Sequence, residues 1–119
     1  MIKIAFNPKE MELTVKGHAN FDEKGKDIVC ASVSILFYTL AFSLKKAQKM
    51  LVKDSLKAEV GEGYSLVACK PKGKYTANVE SIYWVCLNGL ELLADDYPDY
   101  VQIEIISDGL ENADSTKVG

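Results

Sequence analysis

The longest apolar stretch of the chain, residues 28–44, places the strongest constraint on its fold. Apolar side chains there fall on almost every face of a helix, and lysines appear only towards the end. A helix that is apolar all round is buried in a protein core or in a membrane. Four hydroxyl side chains interrupt the stretch, so we expect a buried helix from Ile28 to about Val52 rather than a membrane span. Asp27 is the expected N-cap of this helix.

Alternating patterns on both sides of this helix predict a sheet. Two pairs of strands are predicted, at 2–6 with 11–15 and at 55–60 with 65–70, each joined by a turn. A helical repeat predicts a second helix over 76–95, and alternation predicts a last strand over 101–106. The order ββαββαβ with adjacent hairpins predicts an α+β fold, a two-layer sandwich in which two helices cover a mainly antiparallel sheet. We expect one domain over residues 1–107 and a polar, mobile tail over 108–119.

Composition excludes several classes of function. The net charge is −3 and the chain of 119 residues has no arginine, so we expect no direct contact with nucleic acid. Its three cysteines form no CxxC pair, which argues against a disulfide framework and against a zinc site. We therefore expect no cofactor and no metal. Free thiols and the lack of a signal-peptide pattern predict a reducing, cytoplasmic location without a membrane partner.

The chemistry-bearing residues lie at the two ends of one polar loop. His18, the single histidine, opens this loop, and Cys30 follows 12 positions later near the start of the apolar helix. A thiol near a helix N-terminus is stabilised as the reactive thiolate, and unpaired amides there can bind an oxyanion. A neighbouring imidazole can take up the thiol proton and later protonate a leaving amine. Ser34 lies one turn after Cys30 on the same face, where it could orient a partner or a water.

Each of these residues also has a purely structural interpretation. Lone cysteines and histidines are more often packing or loop residues than catalysts. Asp27 either caps the helix or orients His18, and a serine such as Ser34 commonly bonds back to a helix carbonyl. Cys69 and Cys86 lie on apolar faces and are expected in the core. Spacing alone therefore does not establish a nucleophile.

Two short motifs extend the argument. The segments Gly17-His18-Ala19 and Gly25-Lys26-Asp27-Ile28-Val29-Cys30-Ala31-Ser32-Val33-Ser34 resemble the signature of the ribosomal-processing cysteine proteases, the Prp family. The resemblance extends over most of the chain. It implies that Cys30 is the nucleophile and His18 the catalytic histidine, with Asp27 and Ser34 in supporting roles. It also implies that Gly17, Ala19 and Gly25 belong to a loop that contacts substrate.

The family resemblance also implies a substrate and an assembly. Prp proteases remove a short N-terminal extension from a large-subunit ribosomal protein, cutting after an aromatic residue, and they are homodimers. We therefore expect this chain to bind such an extension as a homodimer. The loop from His18 to Lys26 has glycines at or near both ends, so we expect it to be mobile in the free enzyme and to order over the peptide.

Three other functions remain open from the residues alone. The first is a non-enzymatic, ribosome-associated module that binds the same peptide without cutting it. The second is a thiol redox sensor at Cys30, although no resolving cysteine lies nearby in sequence. The third is a cysteine hydrolase that acts on small amides or esters.

Overall fold

The computed structural model describes residues 1–17 and 26–107, and for Lys26 and Asp27 it describes the backbone alone. The predictions for His18, Ala19, Gly25 and the tail at 108–119 therefore lie outside the described residues. The described part consists of β1 (Ile2–Asn7), β2 (Glu12–Lys16), α1 (Lys26–Lys46), β3 (Lys57–Gly61), β4 (Tyr64–Ala68), α2 (Thr76–Asp96) and β5 (Val101–Ile105). Short 3-10 turns at Gln48–Met50 and Gly73–Tyr75 precede β3 and α2.

The five strands form one sheet in the order β3-β4-β2-β1-β5. The pairs β1–β2, β2–β4 and β3–β4 are antiparallel, and β1–β5 is parallel. The parallel pair is possible because β5 follows a helix, which carries the chain back across the sheet. The predicted α+β fold and its mainly antiparallel sheet are confirmed.

The hydrophobic core lies between one face of this sheet and the two helices. Ile2, Ile4 and Phe6 alternate with polar or exposed neighbours along β1, and all three are fully buried. The ring of Phe6 stacks on that of Tyr83 from α2 at a centroid distance of 5.1 Å. Residues of α1 such as Leu40 join the same cluster. The buried side chains that alternate along the strands therefore pack against the buried faces of α1 and α2 at one interface.

Helix α1 differs from its predicted bounds at both ends. It begins at Lys26, so Asp27 lies inside the first turn, and the expectation that Asp27 is the N-cap is wrong. It ends at Lys46 rather than near Val52, because the chain then turns to bury Leu51, which pairs with Pro71 in an isolated bridge. A continued helix would move Leu51 away from that partner.

Helix α1 is also more apolar than we expected from the hydroxyl side chains in its sequence. By length and composition, Ile28–Lys46 could cross a membrane, so the conclusion that its hydroxyl groups make it too polar is wrong. In the fold, one face of this helix packs into the core of the domain, where Val33 and Leu40 are buried.

The helix layer leaves one edge of the sheet uncovered. Pairing with β4 places Ala58 and Val60 of β3 on the same sheet face as the buried Val67. All five residues of β3 are nevertheless exposed, and Val60 keeps 58% of its surface accessible. The inner face of the sheet therefore continues past α1 into an open groove beside that helix.

Candidate active site

A cleft of about 170 Å³ occupies the N-terminal part of this groove. One wall is α1 and the other is formed by the ends of β2, β3 and β4, which meet where the β3–β4 hairpin turns. The lining residues are Ile2, Val15, Gly17, Cys30, Val33, Ser34, Phe37, Tyr38, Val60, Gly61, Gly63, Tyr64 and Ser65. The structure thus gathers into one cleft the segment that precedes His18, the thiol of Cys30 and the hydroxyl of Ser34.

Gly17 fixes the place where the loop leaves the sheet. Its φ of +101° lies in a region that side chains disfavour, and a Cβ atom would collide with the carbonyl of Met1. Its amide donates a 3.0 Å hydrogen bond to the carbonyl of Gly63 in the hairpin turn. Only glycine meets these requirements, so the wall of the cleft opposite α1 has a defined position.

Cys30 is the fifth residue of α1 and lies just beyond its first turn, two positions deeper than expected. A helical side chain leans towards the N-terminus of its helix, so the Cys30 thiol is directed back over the first turn. The residue is half-buried and lines the cleft, which leaves its sulfur within reach of a ligand.

Ser34 lies one turn after Cys30 and lines the same cleft. Two other hydroxyls of α1 bond back to the helix, since Ser32 donates to the carbonyl of Ile28 and Thr39 to that of Ile35. Within the described part of the chain, the Ser34 hydroxyl makes no such bond. It is therefore available to a ligand or a water in the cleft.

The other two thiols lie in the core, as expected. Cys69 and Cys86 are buried, and burial raises the pKa of both. The Cys69 sulfur lies 3.5 Å from the hydroxyl of Tyr83, which donates a 2.6 Å hydrogen bond to the carbonyl of Met11. Both thiols therefore lack the access and the thiolate character that a nucleophile needs.

Sequence reasoning missed the half of the cleft that faces α1. Val60, Gly63 and Tyr64 lie more than 29 positions after Cys30, in a hairpin with no local chemical signal. The side chain of Tyr38, two turns after Cys30, is also part of the lining and was read simply as part of an apolar helix. The glycines of the hairpin turn, at 61 and 63, are the one local signal that could have indicated a close approach of backbone there. Among residues 1–17 and 26–107, no cluster of three histidine, cysteine or acidic side chains could hold a metal ion.

Comparison with known proteins establishes the family. The model of the cysteine protease Prp family matches residues 1–102, which include every element described above except the end of β5. The chain belongs to the Prp cysteine protease family. The ribosomal processing cysteine protease Prp of Mycoplasma genitalium is 35% identical over 104 residues, covering 87% of this chain and 94% of the relative. The Mycoplasma pneumoniae protein of the same name is 31% identical over 105 residues, with the same coverage.

Solved structures share the fold of this Prp family member. A Streptococcus mutans protein superposes with a TM-score of 0.66 at 24% identity, covering 90% of this chain and 93% of that one. Prp of S. aureus in complex with a substrate peptide gives a TM-score of 0.69 at 15% identity, covering 89% and 100%. The chain therefore shares the α+β fold of these proteins, and as a member of the Prp family it is a cysteine protease.

Proposed function

We propose that this protease cleaves the N-terminal extension of a large-subunit ribosomal protein, with Cys30 as nucleophile and His18 as general acid and base. The observation that carries the proposal is that Gly17 and Cys30 line one cleft. His18 is bonded directly to Gly17, and consecutive Cα atoms lie about 3.8 Å apart. In sequence, His18 therefore directly follows a residue of the wall that faces Cys30. With Cys69 and Cys86 buried, Cys30 is the cysteine open to a peptide.

The reaction follows from this pair. The Cys30 thiolate attacks the carbonyl carbon of the scissile bond, and the negative charge moves to the carbonyl oxygen. Collapse of this intermediate breaks the C–N bond, and His18 gives its proton to the departing amine. A water then attacks the thioester, His18 takes up its proton, and the new carboxylate leaves with the thiol regenerated. No cofactor or metal enters these steps.

The first turn of α1 supplies the stabilising dipoles. The first amides of a helix have no partner within the helix, and Cys30 leans back over them. We place the developing oxyanion at this turn, where backbone N–H groups and the helix dipole both favour negative charge. Asp27, in the same turn, and Ser34, in the cleft, are supporting residues in this scheme. Ser34 orients the attacking water, and Asp27 supports His18.

The groove provides a path for an extended substrate. Tyr38 lines both the cleft and a second, mostly apolar groove that continues along α1 between Phe42 and Ala58 of β3. The aromatic residue of the substrate extension packs in this apolar part, beside the exposed ring of Tyr38. The glycine-bounded loop orders over the bound peptide. Unchanged amide exchange across residues 18–26 after addition of a substrate peptide would contradict that ordering.

We further propose that the enzyme is a homodimer. Five apolar side chains on the outer surface of the two helices are each at least 60% exposed, and we call them the outer helix patch: Ile28, Ile35, Phe42, Val85 and Leu92. Single exposed apolar residues are ordinary, but a cluster of this kind on one surface indicates a partner. A second copy of the chain buries the patch across a two-fold axis.

The dimer is tested by light scattering with Leu92→Glu, a patch residue outside the substrate groove, and with Val52→Glu, an exposed apolar position outside the patch. The proposal expects twice the monomer mass for the wild type and for Val52→Glu, and the monomer mass for Leu92→Glu. A wild-type monomer at micromolar concentration would contradict the dimer proposal. Binding of the patch to lipid vesicles without any self-association of the protein would contradict it as well.

The remaining parts of the proposal concern location and boundaries. We propose a cytoplasmic location, which is supported by the three free thiols and by the proposed ribosomal-protein substrate. We propose that the protease domain spans residues 1–107 and that the polar segment at 108–119 is not part of it. Removal of that segment should leave cleavage of the substrate unchanged.

The function is tested by incubating the enzyme with the full-length ribosomal protein of its host and reading the products by mass spectrometry. The proposal expects one cut near the substrate N-terminus, after an aromatic residue, which is lost in Cys30→Ala and in His18→Ala. Cys69→Ala serves as the matched control and retains the cut. Binding without cutting by the wild type would instead favour the peptide-binding module.

A further inference from the structure

Two lysine-bearing segments that are distant in sequence meet at the C-terminal end of α1. The amide of Lys72 donates to the carbonyl of Met50 at 2.8 Å, and the amide of Val52 donates to the carbonyl of Lys70 at 2.8 Å. The bridge between Leu51 and Pro71 lies between these two bonds. The segments 46–54 and 70–75 therefore form one continuous surface.

We call this surface the lysine end and define it by Lys46, Lys49, Lys53, Lys70, Lys72 and Lys74, all of which are exposed. Asp54 is the sole acidic residue in the two segments, so six lysines and one aspartate leave a net charge of +5 in a chain of net charge −3. Among the residues that the structure describes, none of the six lysines forms a salt bridge. Lys74 instead lies 5.2 Å above the ring of Tyr75.

The stability of the fold does not account for this clustering. Lysines at the end of α1, such as Lys46, do interact favourably with the helix dipole. Lys72 and Lys74, however, immediately precede α2, where a positive charge is repelled by the dipole of that helix. The first turn of α2 also contains no acidic residue to offset them. Their positive charge is thus unfavourable for folding.

We propose that the lysine end docks this enzyme on structured RNA through contacts with backbone phosphates. Lysine ammonium groups are compact point charges that suit phosphate contacts, whereas the absence of arginine removes the side chain most used to read bases. The choice of RNA over another polyanion rests on the proposed function, because a ribosomal-protein substrate is assembled on RNA. The sequence alone led us to expect no nucleic-acid contact, since it does not show that the two segments meet.

The position of the lysine end is compatible with simultaneous cleavage. Lys46 follows Cys30 by 16 positions along α1, which corresponds to about 24 Å at 1.5 Å per residue. RNA at this end therefore leaves the cleft at Cys30 open and approaches only the far end of the second groove, where Lys46 lies 4.9 Å above the ring of Phe42. Docking raises the local concentration of substrate without contributing to the chemical step.

The test measures binding of a fluorescent RNA hairpin by anisotropy at about 50 and 200 mM salt. The lysine-end variant is Lys70→Gln/Lys72→Gln/Lys74→Gln, which should fold because it removes charge from the start of α2. Its control is Lys3→Gln/Lys16→Gln/Lys57→Gln, which has the same net charge but changes exposed lysines elsewhere. We expect about tenfold or greater loss of affinity at low salt and a shallower salt dependence in the lysine-end variant alone.

Equal losses in the two variants would overturn the proposal, because net charge rather than a surface would then explain binding. Unchanged RNA binding by the lysine-end variant would overturn it as well, and so would wild-type binding to anionic lipid vesicles with none to RNA. Cleavage of a free substrate peptide provides a separate readout. The lysine-end variant should keep the wild-type kcat/KM on that peptide, so failure of docking and failure of the protease assignment are distinguishable.

Discussion

The core beneath α2 and the cleft beside α1 lie on the same face of one sheet, yet the cysteines in these two regions differ in their exposure. In the core, Cys69 and Cys86 are sealed, and burial raises the pKa of their thiols. In the cleft, Cys30 is half-buried at the N-terminal end of a helix, next to an uncovered strand. The difference arises because the helix layer stops short of β3. The proposed reactive site therefore lies where the sheet is left uncovered.

The largest difference between the two regions should be in catalysis. Cys30→Ala removes the proposed nucleophile, so we expect kcat/KM for a substrate peptide to fall by about 10³-fold or more. Cys86→Ala truncates a core thiol and should leave kcat/KM of the folded enzyme unchanged. Peptide cleavage kinetics measure both. Retained activity in Cys30→Ala would show that catalysis does not depend on the thiol in the cleft, and the cleft and core cysteines would then not differ in function.

The thiols themselves should differ in reactivity. Under native conditions we expect iodoacetamide to modify Cys30 at least about 100-fold faster than Cys69 or Cys86, because the core thiols react only when the protein opens. Mass spectrometry of peptides from timed samples measures the three rates. In denaturant the rates should converge, and comparable rates in the native protein would show that burial does not protect the core pair.

The wall of the cleft should be sensitive to a single methyl group. Gly17→Ala places a Cβ against the Met1 carbonyl at a positive φ, so we expect a loss of about 1–3 kcal/mol in the free energy of unfolding. Displacement of the adjacent His18 should lower kcat/KM of the folded fraction about tenfold or more. Gly73→Ala, at a glycine with open space around it, is the matched control. Equal kinetics in the two variants would argue against a role for Gly17 in positioning the site.

The smallest effect should be in the core. Tyr83→Phe leaves the Met11 carbonyl with only the longer, 3.3 Å hydrogen bond from the Cys69 amide, which should cost about 0.5–1.5 kcal/mol of stability without lowering kcat/KM of the folded enzyme. Thermal unfolding measures the loss, and Tyr75→Phe is the control. An unchanged melting temperature would indicate that another group satisfies the carbonyl.

Alkaline pH gives a related signature of the core. Burial raises the pKa of Tyr83, Cys69 and Cys86, so each group must stay neutral in the folded state. Their contribution to stability is complete below the unfolded-state pKa values of 9.0 and 10.0 and is lost as the pH rises above them. Stability should therefore decline above about pH 9, and Tyr83→Phe should make the decline shallower.

The periodicity of the sequence was sufficient to predict the order of elements and the class of fold. It failed where tertiary contacts decide a boundary. The end of α1 depends on the pairing of Leu51 with Pro71, which lies 20 positions away and has no local signal. The start of α1 at Lys26 was missed because Asp27 is a good N-cap residue by type, although a helix can also continue through it.

The candidate site was predictable on one side only. Motif residues such as Gly17 and Cys30 are adjacent to a recognisable loop, and the structure places both in one cleft. The opposite wall comes from the β3–β4 hairpin, whose exposed inner face follows from how far the helices extend over the sheet. The lysine end has the same origin, because its two segments meet only in the folded chain.

The central claim is that the Cys30 thiol is the nucleophile and that His18 activates it. The most direct measurement uses a peptide chloromethyl ketone that carries the substrate extension up to its aromatic residue, with the adduct located by mass spectrometry. The account predicts one adduct, on Cys30, that forms much more slowly in His18→Ala and at the wild-type rate in Cys69→Ala. An adduct on another residue, or equal rates with and without the imidazole, would contradict it.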